Sequence, residues 1–270
     1  MKIKKNIDLI IQKITGLTKG QLFLNPKIDP KFNLLIDESI RRLKSGEPIE
    51  YIINNAEFYS LNFYVDSNVL IPRNDTEIMV DKAIETIIEL DKSALIDVGT
   101  GSGIIAISII KNTKKINNCY SVDISRKVLE VTKKNIVKHG LQKRIQTIKS
   151  DLLIKFIGNT DYPLCKNLII TANLPYIKTG DFKNISTETI KYEPKLALFG
   201  GKNTGFELYE ILIKECLLLK KLNNLNNIYL FIEIGFDQKE YSSKYLTKLG
   251  LKHNYFKDEG GIERCIKVKF

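Results

Sequence analysis

The stretch ALIDVGTGSGIIAISII, residues 94–110, places a buried strand before a glycine-rich turn and an apolar helix after it. Gly99, Gly101 and Gly103 let the backbone turn tightly and come close to a ligand, where a Cβ would collide. Strand, glycine turn and helix in that order form a nucleotide-type pocket at the carboxyl end of a first strand, or else a purely structural turn. The spacing narrows the ligand. A dinucleotide fingerprint needs its third glycine at position 104, where this chain has Ile104, and no Gly-Lys-Ser/Thr follows to make a phosphate-binding loop.

Around this loop the pattern alternates. Helices are expected over 75–90, 103–111, 126–139, 205–221 and 238–248, with strands at 94–98, 118–122, 145–149, 167–171, 228–233 and 262–269. Such alternation implies an α/β fold, an open and mainly parallel sheet covered by helices on both faces, with the last two strands as an antiparallel edge. Upstream, NIDLIIQKITGLT (6–18) and DPKFNLLIDESIRRLKS (29–45) carry apolar residues at helical spacing. AEFYSLNFYVDSNVLIPR (56–73) then changes to aromatic and β-branched alternation, expected as a hairpin linker.

The ends of the following strands carry polar groups. Asp97 closes the first strand, and D-x-G-x-G-x-G resembles the S-adenosylmethionine loop of the class I methyltransferases, which puts Asp97 where it can hold the cofactor's ammonium group directly or through water. Asp123 ends CYSVDIS, where an acceptor can bind both ribose hydroxyls; its plainer role is a helix N-cap, which Ser125 fills better. Asp151 follows the third strand, where it either accepts from the adenine amino group with Leu152 against the ring, or is only a turn residue. The fourth strand runs into IITANLPYIKTG (169–180), which breaks at Asn173, Leu174, Pro175 and Tyr176. Alone, these four letters read equally as a turn. Beside a methyltransferase loop they read as a clamp for a nitrogen whose lone pair is delocalised. The Asn173 side chain and the Leu174 carbonyl can accept both N–H protons, Pro175 forces its predecessor extended, and Tyr176 can pack on the planar acceptor.

Composition excludes several classes. The chain of 270 residues is 43% apolar, enough for a full core, and no apolar run approaches the roughly 20 residues of a membrane span. The Lys-rich start leads into an interrupted, charged helix rather than a signal-peptide core, so a cytoplasmic location without a membrane is expected. Cys119, Cys165, Cys216 and Cys265 lie far apart, and the two histidines, His139 and His253, read as surface residues, so no metal site is expected. The net charge of +11 is carried by evenly spread lysines rather than a binding stripe, so stable nucleic-acid binding is not expected.

Taken together, the chain resembles the release factor glutamine methyltransferases, which methylate the side-chain amide of the Gln in the Gly-Gly-Gln motif of peptide chain release factors. The likeness spans nearly the whole sequence: EFYSLNFYVDSNVLIPRNDTE (57–77), the loop at 97–103, Asp123, the Asn-x-Pro-Tyr segment, YEPKLALFGGKNTGFELY (192–209) and KDEGGIERCI (257–266). It implies a helical substrate-recognition domain (1–55), a β-hairpin linker (56–74) and a Rossmann-like, seven-stranded methyltransferase domain (75–270). It assigns S-adenosyl-L-methionine to Asp97, Gly99, Thr100, Gly101, Ser102, Gly103, Asp123, Asp151, Leu152 and Asn173. The glutamine amide falls to Asn173 through Tyr176, with Asn173, Pro175 and Tyr176 catalytic and Pro72 and Arg73 of the linker closing over the site, Arg73 reading equally as a structural link between the domains. A monomer with release factors as protein substrates follows. Glu193 and Pro194 stand either on the substrate side or only as a brace for their loop. Two residues depart from the family pattern: Leu174 replaces the first proline of Asn-Pro-Pro-Tyr, and Asn74 replaces the second proline of the linker. Asn-Leu-Pro-Tyr is also familiar from ribosomal RNA adenine dimethyltransferases, so an adenine-nitrogen methyltransferase acting on RNA or DNA is the alternative.

Overall fold

The computed structural model describes residues 2–24, 26–183 and 185–270. Four helices lead: α1 (Lys2–Thr15), α2 (Lys19–Phe23), α3 (Asn33–Lys44) and α4 (Ile49–Ile53). The first expected helix ends early because Thr18 and Gln21 form a reciprocal capping box that starts α2 as a separate turn. Pro30 opens a short 3-10 turn ahead of α3.

The hairpin consists only of β1 (Ala56–Phe58) and β2 (Leu61–Phe63), joined by Tyr59 and Ser60 with φ of 50° and 57°. Two consecutive left-handed residues match the right-handed twist of a tight hairpin. The linker does not continue as a strand, because the Tyr64 backbone is satisfied elsewhere. Its N–H donates to Asn135 Oδ1 at 2.6 Å, and its carbonyl accepts from Asn135 Nδ2 at 2.8 Å.

The body contains α5 (Glu77–Ile88), β3 (Ser93–Val98), α6 (Ile104–Asn112), β4 (Ile116–Asp123), α7 (Arg126–Lys138), β5 (Ile145–Lys149), β6 (Asn167–Ala172), β7 (Ile177–Lys178), α8 (Thr187–Tyr192), β8 (Phe199–Gly201), α9 (Glu207–Leu222), β9 (Asn227–Glu233), α10 (Lys239–Lys248), β10 (Lys252–Lys257) and β11 (Glu263–Lys269). Seven strands form one sheet in the order β10-β11-β9-β6-β3-β4-β5. The strands from β9 to β5 are parallel, and β11 and β10 add an antiparallel edge. The pairing of β9 with β11 follows the sequence pattern; β10, outside it, does not.

Every residue of β3 is buried, as a central parallel strand requires. Alternation divides its side chains between two cores. Leu95 packs with α5, α6 and α7, and Ile96 packs with α9 and α10. The chain builds outward from β3 through β4 to β5, then returns to β6 on the other side of β3. Ligands of open α/β sheets bind in the crevice that such a reversal leaves at the carboxyl ends of the strands.

Candidate active site

A cavity of about 350 Å³ opens at that reversal, within the range of small-molecule sites. It is reached by Gly99 and Gly101 after β3, Asp123 at the end of β4, Asp151 and Leu152 after β5, and Asn173, Leu174 and Pro175 after β6. The linker supplies one wall through residues 67–70, and Pro194, Leu196 and Ala197 supply another.

The glycine loop is fixed from behind. Thr132 Oγ1 of α7 donates to the Gly101 carbonyl at 2.8 Å, and Asn135 Nδ2 donates to the Ser102 carbonyl at 2.8 Å. Gly99 has φ of 69°, a backbone conformation that favours glycine, and a Cβ there would stand 2.7 Å from Leu174 Cδ2, which would have to shift. Thr100, Ser102 and Gly103 belong to the loop but not to the cavity wall, and Thr100 and Ser102 are buried. Asp97 also lies behind the wall, fully buried. Thr100 donates to its Oδ2 at 2.6 Å and Thr171 to its Oδ1 at 2.7 Å. Burial pushes the Asp97 pKa up to about 6, against the pull of those hydroxyls.

Asp123 lines the cavity and accepts the Ser125 N–H at 2.9 Å, while Ser125 itself caps α7. Burial raises the Asp123 pKa. Asp151 is exposed, and Leu152 is buried with φ of 41°. A left-handed leucine is strained backbone, the kind held in place at functional sites.

After β6, Asn173 Nδ2 lies 3.2 Å from Thr76 Oγ1, and Thr76 donates to Glu233 Oε2 at 2.5 Å. Tyr176 donates to the other oxygen, Glu233 Oε1, at 3.1 Å. Tyr176 therefore stands outside the cavity wall, its hydroxyl turned to Glu233 and its carbonyl accepting from Gln238 at 2.9 Å. Burial raises its pKa above that of an ordinary phenol. The Leu174 N–H donates to Tyr209 Oη at 3.0 Å.

Against this geometry stand the sequence comparisons. The chain is 38% identical over 272 residues to the release factor glutamine methyltransferase of Clostridium botulinum, covering 97% of this chain and 90% of the relative. The chain belongs to the release factor glutamine methyltransferase family. The Flavobacterium psychrophilum member is 32% identical over 279 residues, covering 100% of this chain and 92% of its own. Residues 74–173 also match the family described as ribosomal protein L11 methyltransferase (PrmA). Among solved structures, the hMettl16 catalytic domain in complex with a 3'UTR hairpin shares the fold, with a TM-score of 0.57 at 14% identity over 92% of this chain and 85% of that one.

In this methyltransferase the linker is held by Glu193, whose side chain is only 2% exposed. Glu193 Oε1 accepts from Arg73 at 2.5 Å and from Thr189 at 3.3 Å, and Oε2 accepts the Ile71 N–H at 3.3 Å. Arg73 lies outside the cavity wall with its guanidinium engaged by Glu193, whereas Pro194 is part of the wall. Thr76, Tyr209 and Glu233 did not emerge from sequence reasoning. The available signal was Glu233, a carboxylate ending the apolar run FIE of β9, where a charge needs a partner. Both histidines are partly exposed and away from the cavity, and Cys119, Cys216 and Cys265 are buried thiols. Among the described residues, no helix is long and apolar enough to cross a membrane.

Proposed function

We propose that this enzyme methylates the side-chain amide nitrogen of the glutamine in the Gly-Gly-Gln motif of peptide chain release factors, using S-adenosyl-L-methionine. The observation that carries this is Asn173: it lines the cavity with its Nδ2 engaged by Thr76, which leaves Oδ1 to accept an N–H. The residues present fit the cofactor. A cradle of positive-φ glycines, a carboxylate at Asp123 for vicinal hydroxyls, and an apolar wall at Leu152 beside Asp151 suit a nucleoside with an amino-bearing base. Asp97 contributes a negative charge behind the loop for an ammonium group. When bound, S-adenosylmethionine supplies an electrophilic methyl group.

The protein's part is orientation. Asn173 Oδ1 and the Leu174 carbonyl take the two N–H protons of the acceptor amide and turn its lone pair toward the methyl. Leu174 serves as well as the proline of the family pattern, since the contact is a backbone carbonyl and Pro175 keeps it extended. Holding both reactants in line contributes several kcal/mol, about 7 to 11 at the limit. The nitrogen would gain the methyl as the carbon–sulfur bond of the sulfonium breaks to leave a neutral thioether, and its proton would pass to solvent, while the carbonyls stabilise the positive charge that develops meanwhile. Tyr176 and Arg73 act here as braces of the clamp and the linker.

The N-terminal helices, residues 1–55, serve to recognise the factor. Phe23, Leu24 and Leu34 stand 86%, 79% and 73% exposed, apolar surface suited to a protein partner. A cytoplasmic monomer that takes the factor as substrate completes the proposal.

The test is transfer of a labelled methyl to purified release factor and to ribosomal RNA, with peptide mass spectrometry of the product. Label is expected on the Gly-Gly-Gln glutamine, and label on RNA alone would sink the assignment. Asn173→Ala is expected to abolish transfer while weakening cofactor binding only moderately; near-normal turnover in that variant would refute the clamp.

A further inference from the structure

The Asn173 carboxamide has two faces, a donor and an acceptor, and only one orientation makes a clamp for N–H groups. We propose that Thr76 and Glu233 are positioning residues that fix this orientation and thereby make the enzyme select an amide over a carboxylate at the acceptor position. This rests on the acceptor assignment made above.

Hydrogen-bond direction settles the chain. Glu233 ends β9, is 3% exposed, and its carboxylate receives protons from Thr76 on one oxygen and Tyr176 on the other. Thr76 is 1% exposed and owns a single proton, which goes to Glu233 at 2.5 Å. Its oxygen can then only accept from Asn173, at 3.2 Å, so Nδ2 faces Thr76 and Oδ1 faces the acceptor. Turning the carboxamide over would set Oδ1 against the buried Thr76 Oγ1 with no proton between them, so that two acceptors would face each other in place of a hydrogen bond.

The local backbone is consistent with that chain: Thr76 ends a 3-10 turn (Asn74–Thr76) that runs into α5 with φ of −72° and ψ of −18°, helical angles at which its side chain makes no cap bond. The hydroxyl is turned away from the helix and toward Glu233 and Asn173. Glu233 acts on the other half of the clamp too. Tyr209 accepts the Leu174 N–H and lies 3.1 Å from the Leu174 carbonyl, but its one proton is drawn to the Glu233 main-chain oxygen at 2.5 Å. The Leu174 carbonyl thus stays free of that proton. Both carbonyls of the clamp are kept as acceptors by one residue, through its side chain and its backbone.

Two fixed acceptors need an acceptor substrate that brings two protons. A glutamine amide does; a glutamate carboxylate brings none and meets both oxygens as a like charge. Sites built to bond a substrate N–H reject analogues that lack it far more strongly than shape alone allows.

The experiment compares wild type, Thr76→Val and Thr76→Ser as full-length proteins, with release factor carrying Gly-Gly-Gln as substrate and factor carrying Gly-Gly-Glu as competitor. Thr76→Val is expected to lower kcat roughly ten- to a hundredfold with cofactor Kd within about threefold of wild type, and to narrow the Gln-over-Glu preference in factor binding at least about tenfold. Thr76→Ser, which keeps the hydroxyl, is expected to restore kcat to within about threefold. The Asn173 side-chain NH2, assigned by its loss in Asn173→Ala, is expected to be protected from solvent exchange in wild type and Thr76→Ser and unprotected in Thr76→Val. Thr76→Val with wild-type kcat and preference overturns the proposal. So does an exchange rate unchanged across the three proteins, or a kcat loss that Thr76→Ser shares. Wild type inactive on the factor would defeat the acceptor assignment, while the exchange measurement still decides the relay.

Discussion

Asp97 shows how one buried carboxylate, proposed above to face the cofactor's ammonium group, bears on stability. It sits under the glycine loop with both oxygens occupied by threonine hydroxyls, faced also by Asp123 and Cys119, and burial lifts its pKa from 3.8 to about 6. A folded-state pKa above the unfolded one means that its contribution to stability is complete below about 4 and is lost as pH rises through about 6. The shift corresponds to roughly 3 kcal/mol. Urea unfolding of wild type and Asp97→Asn should therefore diverge across that window, the wild type losing up to roughly 3 kcal/mol relative to the variant between pH 4 and pH 7; parallel profiles would contradict the assignment. A cationic ligand near Asp97 favours its ionised form, so cofactor affinity should rise over the same interval and level off above it. The sequence placed this residue at a strand end, and periodicity sufficed for that. It could not reveal that Thr171, 74 positions away, holds the carboxylate, because side-chain pairing across strands depends on register that a single chain does not display.

At the scale of elements, what was legible followed from periodicity and what was missed followed from brevity or from side chains that replace backbone partners. Strands β3, β4, β5, β6, β9 and β11 are apolar or alternating runs bounded by turn residues, and each reads from the letters alone. β7 and β8 have two and three residues, too short for any period. β10, KHNYFK, has no fully buried position and gives only a weak alternation. The linker reads as a hairpin over the whole of 56–73 because its alternation persists to Ile71, yet the ladder ends at Phe63, where Asn135 takes the hydrogen bonds of Tyr64. Past that point the linker is tied to the loop before β8 by Glu193. Arg73→Ala would strand this carboxylate with the Ile71 amide and Thr189 hydroxyl alone. Breaking a fully buried pair costs about 3 to 5 kcal/mol, and because Arg73 is 41% exposed the expected loss is smaller, about 2 kcal/mol. Adding Glu193→Gln removes the charge while keeping an acceptor for Ile71, so the double variant should recover part of that stability. Cofactor Kd should rise several-fold in Arg73→Ala, since the wall at Pro194, Leu196 and Ala197 loses its anchor. Equal denaturation midpoints for the single and double variants would show that the pair does not behave as a buried charge couple.

For the whole molecule, chain reversal at β3 and β6 brings the glycine loop and Asn173 to one crevice, and the alternation of helix and strand made that much readable in advance. How the N-terminal helices meet the body was not readable, since no periodic signal marks it. The described contact includes one polar junction: Tyr192 of α8 donates to the Ser45 carbonyl at 2.8 Å, with Lys191 Nζ 3.4 Å from the same oxygen. The Tyr192 ring also packs against the cluster of Tyr51, Val65, Val69 and Ile71, which ties the helices, the linker and α8 together. One residue beyond Tyr192, Glu193 grips Arg73, so the junction and the cavity wall share a short segment. Tyr192→Phe keeps the ring and removes the hydroxyl, weakening the junction at the end of α3, where Lys191 alone remains on the Ser45 carbonyl, without opening the apolar cluster. If residues 1–55 present the factor to the clamp, this variant should raise KM for whole release factor several-fold. It should leave turnover of a short Gly-Gly-Gln peptide and cofactor Kd near wild type, because neither depends on where the helices stand. Steady-state kinetics with both acceptors decides it: a KM that rises equally for factor and peptide would place the effect in the cavity wall, and an unchanged KM for the factor would remove the helices from substrate presentation.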